Sequence, residues 1–214
     1  SNFKKTKMKK VLFFVSVAAL AVSCVSNPEG DKAKTTDAVV AVSVEGNKLT
    51  VDTTVSTIVW HGKKVTGAHT GSIELQSGDL IINEGKLTGG SFIIDMASLE
   101  NKDVTDPEYK GKLENHLKSD DFFGVEKYPT SKFEITEVKD LGNNKITIAG
   151  NLTLRDATKN ITYEADVIES SADKFAAKAD FNINRKDWGV AYEGMKDDLI
   201  SDEINFKINL VAGK

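Results

Sequence analysis

Ser72-Ile73-Glu74-Leu75-Gln76-Ser77-Gly78-Asp79-Leu80-Ile81-Ile82-Asn83-Glu84-Gly85-Lys86 decides the fold class. Ile73 and Leu75 alternate with Ser72, Glu74 and Gln76, the two-residue period of a half-buried strand. Gln76-Ser77-Gly78-Asp79 and Asn83-Glu84-Gly85-Lys86 read as turns that bracket a short strand, Leu80-Ile81-Ile82. The pattern repeats in both directions along the chain. Thr57–His61 places Ile58 and Trp60 on one face, and Ser91-Phe92-Ile93-Ile94-Asp95-Met96 forms another strand. Lys132–Thr136, Lys145–Ile148 and Asn151–Arg155 follow, with Leu141-Gly142-Asn143-Asn144 as a hairpin turn. Asn160–Val167 puts Ile161, Tyr163, Ala165 and Val167 on one side. Lys174–Ile183 does the same for Phe175, Ala177, Ala179, Phe181 and Ile183, and Glu203–Leu210 for Ile204, Phe206, Ile208 and Leu210. This makes roughly eight to ten short strands joined by tight turns, which implies antiparallel pairing.

One segment breaks the pattern. Asp106 is placed to cap a helix with Pro107 at its first position. Leu113 and Leu117 share a face, and Ser119-Asp120-Asp121 stops the helix. A single helix among strands marks a crossover or a cover on the sheet. A sandwich and a closed barrel both satisfy strands with one apolar and one polar face. The pattern leans towards a barrel, which has no exposed edges. Eight strands enclose just enough room for side chains or one small ligand. The candidates for an apolar barrel lining are Ile58, Trp60, Ile73, Leu75, Leu80, Ile82, Phe92, Ile94, Phe133, Ile135, Ile148, Leu152, Leu154, Phe181, Ile183, Phe206 and Ile208.

The N-terminus carries an address. Met8-Lys9-Lys10 leads into the apolar run Val11–Ser23, which ends in Leu20-Ala21-Val22-Ser23 just before Cys24, the only cysteine. This is the plan of a bacterial secretory signal over residues 1–23. A cysteine directly after the small residues resembles a lipoprotein processing site, where the thiol is acylated. The run is shorter than the roughly twenty residues of a spanning helix, so any anchor is chemical. A free thiol in an oxidising compartment also favours lipidation. The mature protein would then be a membrane-anchored lipoprotein facing the periplasm of a Gram-negative envelope. Residues 24–44 read as a lipidated cysteine and flexible tether. Extended, about twenty residues reach on the order of 65 Å. Val39–Val44 is apolar enough for a first strand, with Glu45-Gly46-Asn47-Lys48 as its turn. Residues 45–214 form the barrel domain.

Charge narrows the partners. The formal charge is −4, and residues 1–23 hold five lysines and no acid, so the processed chain stands at −9. That argues against nucleic acid, which is bound through clustered Lys and Arg. The three histidines, His61, His69 and His116, lack the close spacing of a zinc helix, so no metal is expected. There is no Gly-x-Ser-x-Gly elbow. Asp120-Asp121 and Asp197-Asp198 read as solvated loop charges. Asp95, in an apolar strand, and Arg185, in a loop at a strand end, are the more distinctive polar residues.

Several separated motifs now agree. Gly67-Ala68-His69-Thr70-Gly71 is followed by Gly89-Gly90-Ser91-Phe92-Ile93-Ile94-Asp95-Met96 and His116-Leu117-Lys118-Ser119-Asp120-Asp121-Phe122-Phe123. Tyr128-Pro129-Thr130-Ser131-Lys132-Phe133, Gly150–Leu154, Thr158-Lys159 and Asn184-Arg185-Lys186-Asp187-Trp188-Gly189 complete the series. From about Val51 to Leu210 the chain resembles the YceI-like family of bacterial periplasmic proteins. The resemblance implies an all-β fold, an eight-stranded antiparallel lipocalin-like barrel crossed by one short helical segment. It also implies a long apolar ligand inside, such as a polyisoprenoid, an isoprenoid quinone or a fatty amide, with no other cofactor required. His69, Asp95, His116 and Arg185 are the candidates to meet a polar head group. A lipid-binding carrier is the leading expectation, and no catalytic residue is assigned. An enzyme or redox helper acting on such a lipid, and a tethered interaction domain with a filled core, are the alternatives. The oligomeric state is open, a homodimer included.

Overall fold

A computed structural model describes residues 25–214. The signal reading of residues 1–23 and lipidation at Cys24 lie outside the described residues. The elements are β1 (Asp31–Lys32), β2 (Lys34–Asp37), β3 (Asn47–Val51), β4 (Thr57–Lys64), β5 (Gly67–Asn83) and β6 (Lys86–Asn101). After α1 (Pro107–Lys118) come β7 (Thr130–Gly142), β8 (Lys145–Leu154), β9 (Ala157–Ser170), β10 (Lys174–Asn184), β11 (Gly194–Met195) and β12 (Asp198–Gly213). Strands β4 to β10 and β12 pair in a closed antiparallel ring, β12-β4-β5-β6-β7-β8-β9-β10 and back to β12. The expected eight-stranded barrel is therefore the observed fold. Alternation explains it: inward aliphatic and aromatic residues bury one face of every strand, and closure pairs the strand edges except where β9 and β10 part near the mouth.

The strands are longer than their sequence suggests. β5 runs unbroken for 17 residues and β6 for 16. Gln76-Ser77-Gly78-Asp79, expected as a turn, lies within β5. The pairing with β6 slips between Leu75 and Ser77, so these turn-type residues form a bulge that bends the strand around the barrel. A Cβ on Gly78 would sit 2.7 Å from Phe92 Cδ1. The turn at Asn83–Lys86 is real. Glu84 and Gly85 have φ of 50° and 74°, as do Asn143 and Asn144 (52° and 59°) in the next hairpin, the positive pair that tight hairpins need.

Residues expected as a free tether are instead bound to the barrel, partly within its wall and partly across its outer face. Asn27 Oδ1 accepts from Ser201 Oγ at 2.9 Å, and Pro28 O accepts from Asn182 Nδ2 at 3.0 Å. β1 pairs with β10 in parallel, and β2 pairs with the mouthward half of β9. There β9 and β10 no longer pair with each other, and Ala33, 4% exposed, fills the seam. Val39 exchanges hydrogen bonds with the Asn151 side chain, and Val44 lies against Gly89. Val39–Val44, expected as a first strand, has no strand pairing. The strands before it take the available edges of β9 and β10, so the segment passes across the outer face as a belt.

One end of the barrel is filled. Leu49, Leu80, Ile82, Phe175 and Ala212 are at most 1% exposed and pack there as a floor. The other end carries α1. Asp106 caps it as expected, accepting from Glu108 N and Tyr109 N at 3.0 Å. Glu114 accepts from Asn101 N at 2.7 Å, and Lys110 pairs with Glu100 at 2.8 Å, which fixes the helix to the end of β6.

Candidate functional site: an apolar cavity in the barrel

The interior above the floor is hollow. A cavity of about 380 Å³ runs from Leu87, Ile135 and Leu210 up to Lys64, Met195 and His116, where it reaches the surface. Of the expected lining, Ile58, Trp60, Ile73, Leu75, Phe92, Ile94, Phe133, Ile135, Ile148, Leu152, Leu154, Phe181, Phe206 and Ile208 border it. Leu80 and Ile82 do not, because they belong to the floor where β3 closes the wall. Ile183 is buried at 1% exposure but does not reach the cavity.

Aromatic rings form a band around one side. Phe92 stacks on Phe133 with centroids 6.1 Å apart, Phe133 meets Tyr163 at 5.9 Å, Tyr163 stacks on Phe181 at 4.1 Å, and Phe181 meets Phe206 at 6.2 Å. The five come from β6, β7, β9, β10 and β12. The gap at β8 is Gly150, where a Cβ would stand 2.2 Å from Phe133 Cζ. The missing side chain lets the Phe133 ring lie flat against the wall, which keeps the space open.

The mouth is built by α1, the β4–β5 hairpin and the segment around β11. Leu113 and Leu117 of α1 face the cavity, as do Phe122, Phe123 and Tyr192. His116 packs edge-on against Phe122 and Tyr192 at 5.1 and 4.9 Å and contacts Asp121 through Nε2 at 3.0 Å. His69 lies at the same mouth, with Nδ1 2.9 Å from Asp103, and with His116 it borders a smaller pocket beside α1. Lys64 and Asp198 form an ion pair at 2.5 Å across the lip. The Lys64 ammonium and bonds from Thr66 hold the Asp198 carboxyl at about 2, below its ordinary 3.8.

The four head-group candidates therefore part company. His69 and His116 both border the mouth. Asp95 does not reach the cavity. Strand parity turns it outward between inward Ile94 and Met96, and it accepts from Ala97 N at 2.9 Å. Arg185 borders the cavity as well, but it is 1% exposed and its donors are already taken. Its guanidinium donates to the carbonyls of Ser201 (2.9 Å), Val190 (2.6 Å) and Ile200 (3.4 Å), fastening the turn after β10 to the irregular part of β12. Among the described residues no group of three metal-ligating side chains forms. Alternation had placed Tyr163 on the inward face without giving it a role, and Leu113, Leu117 and Tyr192 come to the cavity only through the fold.

A profile of the YceI-like domain matches residues 49–212. A UPF0312 protein of Shewanella denitrificans is 33% identical over 99 residues, 46% of this chain and 52% of that one. A UPF0312 protein of Vibrio parahaemolyticus is 30% identical over 104 residues, 48% and 51% respectively. The chain thus spans about half the length of the curated relatives it matches. Among solved structures, BcnA of Burkholderia cenocepacia has a TM-score of 0.62 at 21% identity, covering 76% of this chain and 99% of its own. A polyisoprenoid binding domain from Saccharophagus degradans, implicated in plant cell wall breakdown, has a TM-score of 0.60 at 15% identity, covering 79% and 99%. At these identities the likeness establishes the fold.

Proposed function

Because the chain belongs to the YceI-like family, we propose that its barrel binds one long apolar lipid, of the polyisoprenoid, isoprenoid quinone or fatty amide kind. The observation that carries this reading is the cavity: hollow, walled by aliphatic and aromatic side chains, shut at the floor and open at one rim. The polyisoprenoid-binding domain of matching fold supports it. At about 25 cal/mol per Å², burying some 400 Å² of hydrocarbon gains on the order of 10 kcal/mol before the costs of association. A filled interaction domain would have no such space. Catalysis needs polar groups gathered at the reacting atoms. Here His69 and His116 are tied to aspartates at the rim and Asp95 faces away, which favours a binder over an enzyme.

The same reading covers the anchor. Lipidation at Cys24 of a periplasm-facing protein accounts for the sequence before residue 25. Asn27 O accepts from Lys63 Nζ at 3.3 Å, and both Lys63 and Ser201 border the cavity near its rim. Three residues span at most about 10 Å. An acylated Cys24 would therefore hold the mouth close to the bilayer and not on a long leash.

Mass spectrometry of the native, membrane-extracted protein tests both parts. The expected result is one stoichiometric lipid in the organic extract and an acyl adduct on Cys24. Ile148→Trp, which puts an indole into the cavity, is expected to fold and to lose the lipid at least tenfold. Recovery of no lipid, with no uptake of polyprenols or quinones, overturns the reading.

A further inference from the structure

Below the mouth, the cavity is lined by a tyrosine whose hydroxyl the fold itself does not use. Tyr163 stands on β9 six residues below the mouth end at Ala157, opposite Ile148 of β8. Its ring is clamped between Phe181, stacked at 4.1 Å with planes 14° apart, and Phe133 at 5.9 Å. Its hydroxyl makes no hydrogen bond among the described residues, and the side chain borders the cavity. Burial alone pushes its pKa above the usual phenol range, so it stays a neutral donor at physiological pH. The neighbouring polar atoms of the interior are committed. Ser131 Oγ donates to Thr153 O at 2.6 Å, Trp60 Nε1 to Ser72 O at 3.3 Å and Trp188 Nε1 to Leu152 O at 2.9 Å. Phenylalanine would complete the aromatic band equally well and would not leave a hydroxyl facing an apolar cavity without a protein partner.

We propose that Tyr163 is an internal recognition residue. Its hydroxyl donates a hydrogen bond to a carbonyl-type oxygen of the bound lipid, inside the barrel and away from the rim. This rests on the lipid-binding reading and sharpens it. The ligand is a lipid with an oxygen acceptor that enters the aromatic band, not a pure hydrocarbon whose polar end stays at the mouth. Discrimination follows from the site: a hydrocarbon leaves the hydroxyl unpaired, whereas a ketone, amide or quinone oxygen satisfies it. The rings on either side hold the phenol in one orientation, so little freedom is lost on binding.

The test uses the full chain stripped of endogenous lipid and a fluorescent naphthylamine displaced from the cavity. The competitors are long-chain ketones with the carbonyl moved stepwise along the chain, and the alkane of equal length. At least one ketone is expected to bind about five- to tenfold tighter than the alkane, and Tyr163→Phe is expected to abolish that preference while leaving the alkane unchanged or tighter. The preferred carbonyl position reports the depth of the site. Thermal unfolding of Tyr163→Phe is expected to match or exceed the wild type. If no ketone is preferred, or the variant weakens ketone and alkane alike, the assignment to Tyr163 falls while lipid binding stands. If neither class displaces the probe, the lipid-binding reading falls and this inference with it.

Discussion

Gly150 offers a sharp test of how the cavity is kept open. It sits on the inner face of β8 with the Phe133 ring directly above it. An added methyl carbon would stand 2.2 Å from Cζ, 2.6 Å from Cε2 and 2.8 Å from Cε1. Carbon atoms rest at about 3.5–4.0 Å, so in Gly150→Ala the ring must retreat by more than about 1 Å. Its way out is into the cavity, across its stacking with Phe92 and Tyr163. Overpacking of this kind costs about 1–3 kcal/mol. Removing a strand glycine returns about 0.5 kcal/mol of chain entropy, since Gly150 has ordinary extended backbone. The net expectation is a loss of about 1–2 kcal/mol, or about 3–6 °C in Tm for a chain of this size. Urea titration with an unchanged m-value measures it. Phe133→Leu removes the ring edge. Adding Gly150→Ala to it is then expected to cost nothing further, giving a coupling of about 1–2 kcal/mol. A neutral Gly150→Ala, or strictly additive costs, would refute the reasoning.

Arg185→Met keeps the volume but leaves the carbonyls of Ser201, Val190 and Ile200 without their donor; a loss of about 3 kcal/mol or more is expected in urea, and Arg185→Lys recovers less than half because an ammonium cannot span all three. The Asp198 carboxyl, held at about 2 by Lys64 against an ordinary 3.8, is lower folded than unfolded. Its contribution is therefore present above about pH 3.8 and disappears as pH falls towards 2. An NMR titration of the side chain reads this directly; Lys64→Met is expected to move the midpoint up towards 3.8, and an unmoved midpoint rejects Lys64 as the main cause.

Much of the barrel was legible because inward burial imposes a period of two. Ile58 to Ile208 alternate as the walls require, and the α1 cap at Asp106 follows from local chemistry alone. Gln76–Asp79 misled because Ser, Gly and Asp serve bulges as well as turns, and only the partner strand decides which. Leu80, Ile82 and Ile183 have the right parity, but depth along the barrel, which separates floor from cavity, is set by pairings such as Leu49 with Leu80 that no local pattern encodes. The structural role of Arg185 was not legible, since its carbonyl partners are provided by residues up to 16 positions away. Residues 25–44 looked like a tether because most of their bonds are to residues more than a hundred positions later, such as Asn151, Asn182 and Ser201.

That belt bears on where the functional unit begins. The family match starts at residue 49, yet Pro28 is bonded to Asn182, 154 residues later, and Ala33 closes the seam between β9 and β10. Asn182 and Asn205, each 1% exposed beneath Gly30, would meet water if the segment were absent. A version trimmed to the matched residues would therefore be a barrel with a slit in its wall, opened along the side near the mouth. Lipid retention and exchange measured on such a version would describe a leaking vessel, and the intact chain would hold the same cargo for longer.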